Sequence, residues 1–190
     1  MCASLATLSS PRRQTAELRK GRISLVGATN FVTFGTARRT PALASPPVIL
    51  ATHAVCRRLV QEGDVSALTA TGMPDHVHLL SRLEGGLALD RVVAKWPALA
   101  RRAVAGLDWQ ANFFEHRLRS EEQPEPYAWY IFMNPYDAGL IGCDLPWLGW
   151  WTDGRVGYEF LAKIRPGPCP QPEWLEQSEK RAREVITGEE

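Results

Sequence analysis

The chain predicts an α+β fold: a ferredoxin-like split β-α-β sandwich, its antiparallel sheet carrying helices on one face, plus a C-terminal tyrosine-bearing helix. Three observations carry this prediction. Segments with strand-like and helix-like periodicity follow one another as strand, helix, strand, strand, helix, strand over residues 30–119. The two middle strands are joined by a Pro-Asp turn signal, Pro74-Asp75. At 190 residues the chain can build one sizeable core and does not demand a second.

In order, residues 1–27 are polar, basic and aperiodic, and read as an N-terminal arm. Residues 30–36, Asn-Phe-Val-Thr-Phe-Gly-Thr, are β-branched and aromatic, and their near-continuous apolarity belongs to a central strand. A proline-rich loop, 41–47, leads into 48–60, where apolar residues recur every three or four positions in a helix that Gly63 stops. Residues 65–71 form the second strand, and the histidine-bearing strand follows the turn. A longer helix over about 88–104 places Val92, Val93, Trp96, Leu99, Ala100 and Ala103 on one side and Arg91, Lys95 and Arg102 on another. Pro97 inside it should kink or split it. Residues 112–119 are a fourth strand with Phe114 and His116 on one face, Phe113 and Glu115 on the other. Ser120-Glu121-Glu122-Gln123 is similar to a capping box, but Pro126 is the better first residue for a helix over 127–134 that Pro135 disturbs.

Composition narrows the class. An apolar fraction of 45% with 23% charged residues is ordinary for a globular protein. No apolar run approaches the roughly 20 residues of a membrane span, and the first residues lack a basic segment followed by an apolar core, so neither membrane insertion nor secretion is expected. The four cysteines are far apart with no Cys-x-x-Cys pair, which argues against a zinc knuckle or disulfide framework and for a cytoplasmic protein. The net charge of +1 conceals an asymmetry: residues 1–60 hold nine basic side chains and one acidic, the remainder thirteen and twenty. A polyanion docking near the N-terminal portion, where Arg38 and Arg39 stand, would explain the split; solvated surface arginines would do so equally.

The stretch with most chemistry is Met73-Pro74-Asp75-His76-Val77-His78-Leu79-Leu80. On a strand, His76 and His78 project from the same face with Cα atoms about 7 Å apart, so two imidazoles can converge on one metal ion. An edge strand with two polar residues facing solvent is the alternative. Some fifty residues on, Tyr130 and Asn134 stand four apart on one helical face, as a phenol beside a carboxamide or as a core tyrosine capped by an amide.

The histidine motif followed by Tyr130-Ile131-Phe132-Met133-Asn134-Pro135-Tyr136-Asp137-Ala138-Gly139-Leu140-Ile141 resembles the single-tyrosine HUH transposases, in particular the REP-associated tyrosine transposases. Residues 27–34, Lys95 and Phe114-Glu115-His116 add smaller agreements, and the resemblance runs from about residue 20 to 150. It implies a transposase domain over 28–150, followed by a partly helical tail, 151–190, rich in tryptophan. It further implies Tyr130 as a nucleophile that forms a 5′-phosphotyrosine with single-stranded DNA and frees a 3′-hydroxyl. His76 and His78, with Asn134 as a third ligand, would hold Mg²⁺ or Mn²⁺; by donor type alone, imidazole points to zinc or manganese. Lys95, Arg91, Arg102, Arg38, Arg39 and His116 are candidate DNA contacts. The implied partner is hairpin or palindromic single-stranded DNA, bound by a monomer or by a dimer that exchanges tyrosine helices. Tyr127, three residues before Tyr130, is a rival nucleophile that only the family pattern sets aside. Asp137 and Asn30 depart from that pattern. Two readings compete with DNA cleavage and joining: a non-catalytic hairpin-binding protein, and a metal phosphoesterase that uses water.

Overall fold

The computed structural model describes residues 25–84 and 89–177. The expected arm at 1–27 therefore lies almost wholly outside the described residues. Five strands and three α-helices follow in the order β1 (Thr29–Gly35), α1 (Pro46–Gln61), β2 (Val65–Met73), β3 (His76–Leu83), α2 (Leu89–Ala103), β4 (Phe114–Arg117), α3 (Pro124–Asp137) and β5 (Trp150–Thr152). Short 3-10 turns lie at Ala37–Arg39 and Glu159–Lys163. The sheet order is β4-β1-β3-β2-β5, antiparallel throughout. Its first four strands have the ferredoxin-like arrangement, with the near-continuously apolar β1 in the interior.

Local chemistry explains the helices. Pro46 and Pro47 occupy the first positions of α1, where a missing N–H costs nothing. Ile49, Thr52, Val55, Cys56 and Leu59 are its buried stripe, and Gly63 ends the turn at φ +72°. In α2 the buried side is Leu89, Val92, Val93, Trp96, Leu99 and Ala100. Ala103, expected on that side, is exposed. Pro97 does not split the helix, which runs through it. Trp96 stacks on Phe34 of β1 with ring centroids 5.3 Å apart and an interplanar angle of 7°. Complete burial of a side chain such as Leu59 contributes about 2 kcal/mol.

Strand alternation then sorts the two faces of the sheet. Val32, Phe34, Val77 and Leu79 join α1 and α2 in one cluster, whereas Phe31 and Leu80 join α3 in another. His76 and His78 share Leu80's parity and project toward α3.

Helix α3 begins at Pro124, two residues before the expected start, and reaches Asp137 through Pro135. Gln123 is its cap position, without a side-chain cap bond. Its buried residues circle the helix because it is covered on two sides. The sheet lies on one side; on the other, Phe160 and Trp174 flank Phe132 at centroid distances of 5.4 and 6.4 Å. The Glu125 carboxylate accepts hydrogen bonds from the backbone N–H groups of Glu159 (3.0 Å) and Phe160 (2.9 Å), pinning this segment to the first turn of α3. Strand β5 was not expected. It pairs Trp150 with Thr71 and Thr152 with Thr69, and the boundary anticipated at 150 falls inside it.

Candidate functional site

The register of β1 on β3 sets Thr33 opposite His78 and Gly35 opposite His76. Thr33 Oγ1 consequently lies 2.9 Å from His78 Nδ1. His76 Nδ1 lies 2.6 Å from Asp75 Oδ1, and the other oxygen of Asp75 receives Arg39 Nε at 2.9 Å. With their Nδ1 atoms so held, both rings turn their Nε2 atoms toward each other, 3.0 Å apart. Burial lowers the pKa of His76, partly offset by Asp75. Burial holds His78 well below 6.5, reinforced by the nearby His76 and Arg39. With both rings neutral, His76 Nδ1–H donates to Asp75, His78 Nε2–H donates to His76 Nε2, and the Thr33 hydroxyl donates to His78 Nδ1. The Thr33 hydroxyl can equally accept from an Nδ1–H on His78, which would leave both Nε2 lone pairs unprotonated. This is the outer-sphere pattern that orients metal-ligating imidazoles. Among the described residues no group of three or more His, Cys, Asp or Glu converges on one point, so a cation here would have two imidazole donors.

Tyr130 of α3 stands over this pair. Its ring centroid lies 5.4 Å from that of His78. Phe31 sits beneath both, stacked on His78 at 5.5 Å and edge-on to Tyr130 at 6.0 Å. Burial raises the Tyr130 pKa above its usual value of 10, the neighbouring Asn134 side chain counteracts this, and Asp137 adds to it. Tyr127 is placed quite differently. It is buried, stacks on His116 at 5.6 Å, and donates its hydroxyl to Glu122 Oε1 at 2.9 Å. Burial and Glu122 raise its pKa steeply. The structure thus gathers His76, His78, Tyr130 and Asn134; Tyr127 touches the same Phe31 ring, at 5.7 Å, but turns its hydroxyl to Glu122 and not to the histidines.

The candidate DNA contacts scatter. Arg39 is committed to Asp75, and Arg38 is exposed beside it; both have φ 55°, a left-handed conformation that costs about 1–2 kcal/mol per residue. His116 Nε2 pairs with Glu122 at 2.9 Å. Lys95 is paired with Asp64 and Glu62, which raise its pKa. It lies on α2 with the exposed Arg91 and Arg102, across the sheet from the histidines.

Sequence reasoning passed over Thr33, Phe31 and Gln110. Thr33 becomes visible only once the register is known. Gln110 Oε1 lies 2.8 Å from where a Cβ on Gly35 would be, so its carboxamide occupies the slot beside His76 that a side chain at 35 would fill. No sequence signal marks it.

No family model and no curated protein matches the chain. Among solved structures, the chain is similar to a REP-associated tyrosine transposase bound to a REP hairpin. That likeness has 22% identity and a TM-score of 0.51, and covers 66% of this chain and 78% of the other. It is a likeness of fold, and that fold is the antiparallel sheet with its helices described above. Weaker likenesses, each with a TM-score of 0.43, are to a transposase candidate from Deinococcus radiodurans R1 and to a bacterial tRNA(His) guanylyltransferase-like protein in complex with GTP. The first has 18% identity and covers 54% of this chain and 87% of the other; the second has 15% identity and covers 87% and 97%. No helix among the described residues is long and apolar enough to cross a membrane.

Proposed function

We propose that this protein is a DNA-strand-cleaving and rejoining enzyme of the transposase type, acting on single-stranded hairpin or palindromic DNA with Tyr130 as nucleophile. The observation that carries the reading is the convergence of the two Nε2 atoms, 3.0 Å apart, with the Tyr130 ring 5.4 Å from His78. His76 and His78 fit a divalent cation, Mg²⁺ or Mn²⁺, because both rings are neutral and second partners fix their Nδ1 atoms. Asn134 would be the third ligand that the resemblance implies. Such a cation would withdraw charge from the scissile phosphate.

The chain's own groups do the rest. Tyr130 Oη attacks phosphorus, a P–Oη bond forms as the bond to the 3′-oxygen breaks, and the 3′-oxygen leaves as the hydroxyl. The neighbouring Asn134 side chain favours the negative charge that builds on Oη as its proton departs. Because the linkage to Tyr130 is itself a phosphodiester, a second 3′-hydroxyl can reverse the step and join the strand elsewhere. Phe31 holds the two reacting parts in mutual register through its ring contacts. The resemblance favours a monomer, and the coverage of α3 by the chain's own tail accords with that.

One observation favours a second reading, a hairpin-binding protein that does not cleave. Burial and Asp137 both oppose ionisation of Tyr130; a cation held by His76 and His78 would supply the positive charge that favours the phenolate. A labelled hairpin with single-stranded flanks, incubated with Mn²⁺ and resolved under denaturing conditions, separates the readings. A protein–DNA adduct that vanishes in Tyr130→Phe supports the nucleophile. Binding without cleavage supports the second reading, and cleavage without an adduct supports attack by water.

A further inference from the structure

Beyond β4 the free edge of β1 is covered by a returning segment. Trp109 bridges to Thr36, and Gln110 N–H donates to the Gly35 carbonyl at 2.8 Å. Strand β4 begins only at Phe114, opposite Thr33. Between these two anchor points the chain bows away from the sheet and leaves a trough of about 300 Å³ against α2.

The far wall of the trough is one stripe of α2, Asp90, Ala94, Pro97 and Arg101, at spacings of four, three and four. The two central residues are small, which creates the space; the two end residues are charged. Trp109 and Phe113 supply aromatic surface. Gln110 joins the trough to the candidate site. Its carboxamide lies in the slot over Gly35, and Gly35 is the register partner of His76. The same backbone continues through Arg39 to Asp75 and so to His76. Trough and histidine pair are thus fixed to one short stretch of chain.

A planar, heteroaromatic guest with donors and acceptors on its edge matches this lining: it can lie against aromatic rings and meet an amide. We propose that the trough receives one unpaired nucleobase of the single-stranded flank of the DNA. Gln110 reads its edge, and Arg101, exposed and 3.4 Å from Asp108, holds the adjoining phosphate. This rests on the reading of the protein as one that acts on single-stranded DNA, and it adds where part of the sequence preference resides.

The test is an abasic scan. Hairpins carrying one abasic position at a time through the single-stranded flank are titrated against the full-length protein, wild type, Ala94→Phe and Gln110→Ala. Ala94 and Gln110 are both exposed, so neither change disturbs the core. Wild type should lose about tenfold in affinity at a single position. Ala94→Phe, which fills the trough, should bind every flanked hairpin about tenfold more weakly and show no position dependence. Gln110→Ala should retain the position but lose preference among the four bases there. Mn²⁺ affinity should be unchanged in Ala94→Phe. Wild-type-like binding by Ala94→Phe, or a flat scan in the wild type, overturns the nucleobase site while leaving DNA cleavage by Tyr130 intact. Failure of the wild type to bind any hairpin overturns both.

Discussion

Replacing Asp75 with alanine tests the histidine pair without removing a ligand. Asp75 Oδ1 fixes His76 Nδ1 at 2.6 Å, and its second oxygen is held by Arg39 at 2.9 Å. The Asp75 carbonyl separately accepts from the Thr36 N–H and hydroxyl, both at 2.9 Å, and these bonds survive the substitution. Asp75→Ala therefore frees the imidazole tautomer and ring orientation while leaving the turn in place. Loss of such an outer partner costs about 10–100-fold in metal affinity, equivalent to about 1.4–2.7 kcal/mol at about 1.4 kcal/mol per decade. Asp75→Asn keeps an acceptor for Nδ1–H but loses the ion pair with Arg39, so its loss should lie near the lower end. Calorimetric titration with Mn²⁺ at neutral pH, on variants whose circular dichroism and unfolding midpoint match the wild type, reads the difference. If Asp75→Ala binds Mn²⁺ as tightly as the wild type, His76 is not oriented in the way the geometry implies.

Three further outcomes follow from the same contacts. Tyr127→Phe removes the hydroxyl that donates to Glu122; unfolding in denaturant should show a loss of about 1–2 kcal/mol, with adduct formation retained within a few fold. Lys95→Met leaves the buried Asp64 unpaired and should lower stability by about 1–2 kcal/mol. Hairpin affinity should change less than twofold, because Lys95 is already neutralised by Asp64 and Glu62. The third outcome concerns acid. His78 is held neutral by burial, with its folded pKa well below 6.5, so below that pH the unfolded chain binds more protons than the folded one. Its contribution to stability is therefore complete above about pH 6.5 and declines as pH falls beneath it. Metal-free wild type should lose more stability between pH 7.5 and 5.5 than His78→Gln.

Much of the fold was legible because periodicity reports burial. The apolar run of β1, the three-and-four spacing in α1 and α2, and the Pro-Asp turn before His76 each record a local environment that the structure reproduces. Proline proved harder to read. Pro124, Pro97 and Pro135 each signal interruption in isolation, yet Pro124 starts α3 and the other two are carried inside helices by the packing around them. Strand β5 escaped notice because Trp150–Thr152 is three residues long and owes its existence to an open edge of β2, a non-local fact. The site divided along the same line. His76, His78, Tyr130 and Asn134 sit in short motifs whose spacing fixes their faces, but only the family resemblance joined the two motifs into one candidate site. Thr33, Phe31, Gln110 and the pairing of Arg39 with Asp75 depend on strand register and loop return. The choice between Tyr127 and Tyr130 was open for the same reason: a 60° difference around a helix acquires meaning only when one side meets His78 and the other Glu122.

The central claim is that Tyr130 becomes joined to DNA through its phenolic oxygen. Its most direct test is to digest the adduct formed with a flanked hairpin and Mn²⁺ and to locate the nucleotide-bearing residue by fragmentation mass spectrometry. The account predicts a phosphodiester on Tyr130 and on no other residue. A nucleotide on Tyr127 or Tyr136, or cleaved DNA with no modified peptide, would contradict it.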